Sequence, residues 1–386
     1  MTKTPYVDYY NENEISPVSQ DISDLHKHFE RRSSLYKDLG LPPFVFAKSK
    51  ILDIGPGSGY NSIQVAQYCP RRYTLVEPNH AGRENLKKLF AEFAPDCKYD
   101  LSEDLIQQFK TDEKFDIVLA EGFLGLMHNA TEVIRDIGKF VIDGGVILMT
   151  TCDSISFYPD LLRRIIGLLI DTPDAPIKDR LALMTPVFSK LVKIEGMSRP
   201  IEDWILDNIT QPFEKNYAFS IVDCIDALED NFVFYNSSSP RMFTDMRWHK
   251  MQCNQGNAFN DMAKQQYYSL VHNHLDCRFT IGERPESENK ELLNRCESIF
   301  QHSLHFEKSH ELIHMEQILA ENQQLCDFLL DMKLHAETVK SIRDANHGLE
   351  ELLNGNTDPE FKTFPSYSGR GQQYASFIKK SDPFVR

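Results

Sequence analysis

Between residues 50 and 152, short apolar runs alternate with segments whose apolar positions recur at helical spacing. "KILDIG", "RYTLVEP", "FDIVLAEG" and "GGVILMTTC" read as strands, with "CKYD" as a short strand after the second of them. "NSIQVAQYC", "AGRENLKKLFAEF" and "ATEVIRDIGKFV" read as helices, the second with Leu86, Leu89, Phe90 and Phe93 on one face. Apolar strands joined through helices predict a parallel sheet buried on both faces. This is an α/β doubly wound, Rossmann-like arrangement.

The flanks follow another pattern. "DISDLHKHFERRSSLYKDLGLPP" predicts a helix that stops at Gly40 and is closed off by Pro42 and Pro43. Residues 156–230 read as several helices, "FYPDLLRRIIGLLID" and "IKDRLALMTPVFSKLVKI" being the clearest. "DNFVFYNSSSP" and "FTDMRWHKMQC" predict two further strands, which would complete a mostly parallel seven-stranded sheet. Residues 258–353 read as helical, and the tail "FKTFPSYSGRGQQYASFIKK" as irregular. The expected division is a helical cap over 1–47, a core over 48–255 with its insertion, and a helical region over 256–386.

Composition narrows the class. Hydrophobic residues make up 41% and charged residues 26%, the balance of an ordinary soluble globular protein. No apolar run is long enough to suggest a membrane span, and the polar, acidic start does not resemble a secretory signal. A net charge of −15 argues against a nucleic-acid partner, because binding a phosphate backbone leans on clustered Lys and Arg. The pairs Arg31–Arg32, Arg71–Arg72 and Arg163–Arg164 are expected on solvated faces or beside carboxylates. The eight cysteines form no C-x-x-C pair and read as reduced thiols of a cytoplasmic protein.

The chemistry starts at "ILDIGPGSGYNSIQVAQ", residues 51–67, a strand, a glycine turn and a helix. A dinucleotide fingerprint would place a glycine where Tyr60 stands, and a P-loop would need a Lys followed by Ser or Thr. Asp53, two residues before Gly55, would also repel a pyrophosphate. A sulfonium and an ammonium, the cations of S-adenosylmethionine, suit an acid at this place. Gly55, Gly57 and Gly59 let backbone and ligand approach closely. Glu77, at the end of the second strand, can accept hydrogen bonds from both ribose hydroxyls.

"LDIGPGSG" followed by "LVEP" resembles the motifs of class I S-adenosylmethionine-dependent methyltransferases, over roughly residues 48–152. The resemblance implies S-adenosylmethionine as cofactor, with Asp53 near its methionine part and Gly55, Gly57 and Gly59 beneath it. It implies Glu77 on the ribose, Pro78 and Asn79 flanking the adenine, Asp100 near the adenine amino group, and Glu121 lining the cofactor. The family has no universal catalytic residue, because methyl transfer needs a base only when the acceptor arrives protonated. The acceptor, and whether its reacting atom is oxygen, nitrogen or carbon, therefore stays open.

Candidates on the acceptor side are Tyr10, Arg32 and Tyr36, the last two sharing a helix face with His28. Trp204, Asp207, Arg241 and Arg370 are further candidates, and His128 or His28 would be the base if one is used. The acidity places a small-molecule acceptor, such as a sugar, a glycan precursor or another metabolite, above nucleic acid. Two other readings stand beside this one: a scaffold that binds the cofactor without chemistry, and a zinc hydrolase. The hydrolase would use "HELIH", His310 to His314, which matches H-E-x-x-H without its longer continuation. No metal site is expected there. Leu312, Met315, Leu319, Leu325, Phe328, Leu329 and Met332 instead form a packing stripe, for a lid or a homodimer, interrupted by Asn322.

Overall fold

The computed structural model describes residues 5–17, 19–194, 197, 199–213, 217–238 and 256–381. The chain begins with helices α1 (Pro5–Glu12), α2 (Leu25–Asp38) and α3 (Pro43–Lys48). The alternating part runs β1 (Lys50–Ile54), α4 (Ser62–Ala66), β2 (Arg72–Val76), α5 (His80–Phe93) and β3 (Asp100–Ser102). It continues with β4 (Phe115–Ala120), α6 (Ala130–Gly138) and β5 (Val141–Thr151). Then follow α7 (Ser154–Ile170), α8 (Ile177–Leu191), α9 (Ile201–Ile205), α10 (Ile221–Leu228) and β6 (Phe232–Ser237). The last elements are α11 (Gly256–Leu270), α12 (Glu286–Ser309), α13 (Leu312–Asp331), α14 (Ala336–Leu353) and β7 (Gln373–Lys379).

The seven strands form one sheet in the order β3-β2-β1-β4-β5-β7-β6. The first five are parallel, and β7 pairs antiparallel with both β5 and β6. The order reverses between β1 and β4, the switch point at which open α/β sheets bind ligands outside the carboxyl ends of their strands. Nearly every residue of β1, β2 and β4 is buried, as double coverage requires. No helix of the described residues is long and apolar enough to cross a membrane.

The seventh strand is where sequence and structure part. β6 falls within "DNFVFYNSSSP", but "FTDMRWHKMQC" lies outside the described residues. The seventh strand comes instead from the tail read as irregular, where "QYASFIK" inserts between β5 and β6. Its pairs with β5, such as Leu148 with Ser376, join residues more than 200 positions apart, so no local pattern announces them.

The chain forms two compact units with boundaries that differ from the expected three-part division. The first comprises residues 1–152, 219–267 and 372–386, so the N-terminal segment belongs with the sheet. The second comprises 153–218 and 268–371, uniting the insertion with most of the C-terminal helices. Packing explains the grouping. α7 is buried along most of its length, and α12 and α14 both pack against it. Asp153 caps α7 by accepting from the Ser156 amide at 2.8 Å, and its other oxygen meets His274 Nδ1 at 2.8 Å.

The arginine pair Arg163–Arg164 is buried in the second unit, not displayed. Arg163 donates to main-chain carbonyls, among them Tyr367 at 2.7 Å, while Arg164 pairs with Glu307 and lies over the Phe213 ring. On α13 the apolar stripe also shifts. Met315, Ile318, Leu325 and Leu329 are buried, Leu319 and Phe328 only partly, and Leu312 is 62% exposed. Asn322 does not interrupt that face but serves it: Tyr158 donates to its Oδ1 at 2.7 Å, and its Nδ2 donates to Asn346 at 2.8 Å.

Candidate functional site

The carboxyl ends of β1 and β2 carry the two acids. Asp53 is buried, and its Oδ2 accepts from the Ser62 and Tyr73 hydroxyls, each at 2.7 Å. Burial pushes its carboxyl up to about 6, against the opposing effect of those two donors. Glu77 is buried too, and its oxygens accept from the amides of Gly57 at 2.7 Å and Asn79 at 2.8 Å. Burial again dominates, raising its carboxyl to about 7. Both acids thus titrate near neutrality, where a neighbouring cation or hydroxyl donor shifts them towards the ionised form.

Between them runs the glycine turn. Gly55, Gly57 and Gly59 have φ of 67°, 55° and 85°, a region that side chains rarely adopt. Space is as tight as the backbone. A Cβ on Gly57 would stand 3.1 Å from the Pro17 carbonyl oxygen, and one on Gly55 would stand 3.1 Å from the Phe123 ring.

The N-terminal segment lies over this turn. The Ser58 amide donates to the Pro17 carbonyl at 3.1 Å, and the hydroxyls of Ser16 and Ser58 meet at 2.7 Å. Asn11 Oδ1 accepts from Asn79 Nδ2 at 2.9 Å. Tyr6 donates to the sulfur of Met127 at 3.6 Å, and its phenol is raised by burial and by the nearby Glu77 charge.

A second polar cluster sits at the end of β4. Arg32 Nη2 reaches both oxygens of Glu121 at 2.7 Å, and the Tyr36 hydroxyl donates to Glu121 at 2.9 Å. The four-residue spacing on α2 puts the arginine and the tyrosine on one face, as the sequence predicts. What they meet is Glu121, and Arg32 is only 6% exposed. His28, one turn earlier, has its Nε2 2.8 Å from the Tyr60 carbonyl, which can only accept, so Nε2 carries the hydrogen. Burial lowers its pKa.

The remaining candidates are dispersed. Asn79 is the N-cap of α5, its Oδ1 accepting from the Gly82 amide at 2.6 Å, and Pro78 beside it is half-buried. Tyr10 is buried edge-on against Tyr9. His128 is exposed in the turn before α6. Trp204 and Asp207 belong to the second unit, where Trp204 packs on Phe188 and Asp207 pairs with Arg199. Arg370 is also in that unit, its amide donating to the His274 carbonyl at 2.8 Å. Arg241 lies outside the described residues.

Asp100 is a correction. The sequence places it just after a strand, whereas register with β2 pairs Thr74 with Asp100 and Val76 with Ser102, so Asp100 begins β3. It is exposed at the amino end of the strand and pairs with Arg72 at 3.1 Å. The acids at the carboxyl end are Glu103 and Asp104, and Glu103 meets Arg83 at 3.3 Å. The residues missed by sequence reasoning are partners of the named acids: Ser62 and Tyr73 on Asp53, and Ser16, Pro17 and Asn11 over the turn. Tyr73 alternates into the buried face of β2, a legible fact, but its aim at Asp53 depends on strand pairing.

A seven-stranded, mostly parallel sheet with a glycine turn at its switch point and acids closing β1 and β2 defines a class: class I S-adenosylmethionine-dependent methyltransferases, with that cofactor. Residues 25–174 match the family model described as a methyltransferase domain. No curated protein matches the sequence. Among solved structures, the chain is similar to the N-methyltransferase NodS from Bradyrhizobium japonicum WM9 in complex with S-adenosyl-L-homocysteine. Identity is 19%, over 38% of this chain and 74% of that one, with a TM-score of 0.31. It is also similar to magnesium protoporphyrin IX methyltransferase from Synechocystis PCC 6803 with bound S-adenosylmethionine, at 14% identity. That match covers 39% of this chain and 77% of the other, with a TM-score of 0.32.

The residues present fit the cofactor. Asp53 and Glu77 each offer acceptor lone pairs beyond the bonds they already make.

Proposed function

We infer that the chain methylates a small molecule, with the cofactor held between Asp53 and Glu77. The bound cofactor supplies an electrophilic methyl on a sulfonium. In this reading Asp53 faces the cationic methionine end, Glu77 accepts from the ribose hydroxyls, and Pro78 and Asn79 flank the adenine. Glu103 or Asp104 takes the place expected of Asp100 near the adenine amino group. Glu121, oriented by Arg32 and Tyr36, lines the wall beyond Asp53. The N-terminal segment over the glycine turn excludes water, which favours a transfer in which charge is lost as the transition state forms. Much of the acceleration then comes from alignment, so no residue is required as a general base unless the acceptor arrives protonated.

The observation that carries the reading is the pair of buried carboxylates flanking a glycine turn at positive φ. The net charge of −15 and the burial of Arg163 and Arg164 support a metabolite acceptor over nucleic acid. The reading carries with it a cytoplasmic enzyme that pairs as a homodimer through its C-terminal helices. Calorimetric titration with S-adenosylmethionine and S-adenosylhomocysteine tests it, beside Asp53→Ala and Glu77→Ala. Binding weakened at least tenfold by each substitution is expected. Folded wild-type protein that binds neither compound would overturn the assignment. Transfer of labelled methyl from the cofactor to a metabolite extract, but not to RNA, then tests the acceptor class.

A further inference from the structure

The motif "HELIH" does not lie on one helix. α12 ends at Ser309, His310 turns left-handed with φ of 55°, and Glu311 is the N-cap of α13. The amide of His310 closes α12 on the Phe306 carbonyl at 2.8 Å, and its ring packs edge-on against Phe306. The two histidines therefore lack the i, i+4 helical spacing that a zinc-protease site needs. His314 meets other histidines instead. His302 and His305, one turn apart near the end of α12, and His314, in the first turn of α13, bring one ring nitrogen each within 4.8 Å of the others. The ring centroids are 5.2 Å, 5.9 Å and 6.5 Å apart.

We propose that these three histidines bind one divalent transition-metal ion of the zinc class, with Glu311 or water as fourth ligand. Two of the rings are already oriented for it. His302 Nε2 lies 3.3 Å from Glu321 Oε1, which Ser298 holds at 2.9 Å. That leaves Nδ1, which is buried and has no hydrogen-bond partner among the described residues. His314 Nδ1 lies 3.3 Å from Gln317 Oε1, an oxygen that can only accept, so Nε2 is the free nitrogen. Glu311 Oε2 is 3.8 Å from that Nε2. A carboxylate or amide oxygen behind a histidine is the usual support for a metal ligand, fixing its tautomer and its orientation.

Imidazole nitrogens select borderline metals such as zinc over calcium or magnesium. Tetrahedral bonds of about 2.0–2.1 Å would bring the nitrogens to about 3.4 Å from one another. His305 is exposed, so its ring is free to turn about its side-chain bonds towards the ion. The ion would staple α12 to α13 across their turn. It stands apart from the methyl-transfer reading and does not depend on it.

The test uses untagged full-length protein, stripped with chelator and titrated calorimetrically with Zn²⁺, with circular dichroism verifying each variant's fold. One equivalent is expected to bind. His305→Ala and His314→Ala should each weaken binding at least tenfold, and His310→Ala should leave it unchanged. Where an alanine variant misfolds, His305→Gln or His314→Gln takes its place. Absence of saturable 1:1 binding, full binding by a variant carrying both His305→Ala and His314→Ala, or loss with His310→Ala would each overturn the site.

Discussion

The glycine turn of the first unit and the α12–α13 turn of the second are both short polar junctions, and they treat their polar groups oppositely. At the glycine turn each buried acid has two donors, so Asp53 and Glu77 are held before any ligand arrives. At the helix junction the polar atoms are under-used: His302 Nδ1 and Glu321 Oε2 are buried without partners among the described residues. A satisfied cluster fixes a shape, whereas an unsatisfied one invites a ligand, because a buried orphan polar atom costs more than a made hydrogen bond returns. The contrast also separates motif from geometry. The glycine motif survives folding as one local structure, while "HELIH" is split by the chain's own turn.

The largest effect is expected at the buried ion pair of the first unit. Arg32→Ala would leave Glu121, whose side chain is 13% exposed, without its cation, and the Tyr36 hydroxyl without the donor it accepts from. Breaking a buried pair from one side costs about 3–5 kcal/mol, and urea denaturation should register a loss of that order. A change under about 1 kcal/mol would mean that the pair behaves as a surface ion pair.

A smaller effect is expected in the second unit. Asn322→Leu keeps an apolar face on α13 but strands the hydroxyl of Tyr158 and the Oδ1 of Asn346. The expected cost is about 1–3 kcal/mol, read from the shift in denaturation midpoint at constant slope. Stabilisation by this substitution would show Asn322 to be a defect in the stripe after all.

The smallest effect is the most specific. Asp53 and Glu77 have folded-state pKa values of about 6 and about 7, above those of an unfolded chain. At these two sites the free native protein therefore holds more protons than the unfolded chain across this window. The contribution of these two carboxyls to stability is greatest below the unfolded values and is lost as pH rises through about 7. The ligand has the opposite preference, since a cation and ribose donors favour ionised acids. S-adenosylmethionine affinity should weaken as pH falls from 8 to 6, by about tenfold for each unit below a controlling pKa. Glu77→Gln should flatten the upper part of that profile. An unchanged profile in the variant would remove Glu77 from the binding equilibrium.

Much of the first unit was legible because its signals are local. Apolar runs of strand length, the glycine turn and the acids at strand ends are all set within about twenty residues, and β1, β2, β4 and β5 lie where the pattern puts them. Asp100 is expected after the third strand, whereas pairing with β2 puts it at that strand's start. Arg32 and Tyr36 were legible as one face of a helix, but Glu121 as their partner was not, since it lies 85–89 residues away.

By itself the sequence determined the alternation of the core, the positive-φ turn and the two acids that flank it, because periodicity and glycine chemistry act between near neighbours. Tertiary structure alone decided that β7 would complete the sheet and that residues 153–218 would join 268–371 in one unit. It also decided that His314 would face His302 and His305 while His310 turned away to cap α12. The physical reason is the same in each case. Hydrophobic patterning states which face of an element must leave water, but not which distant surface will cover it.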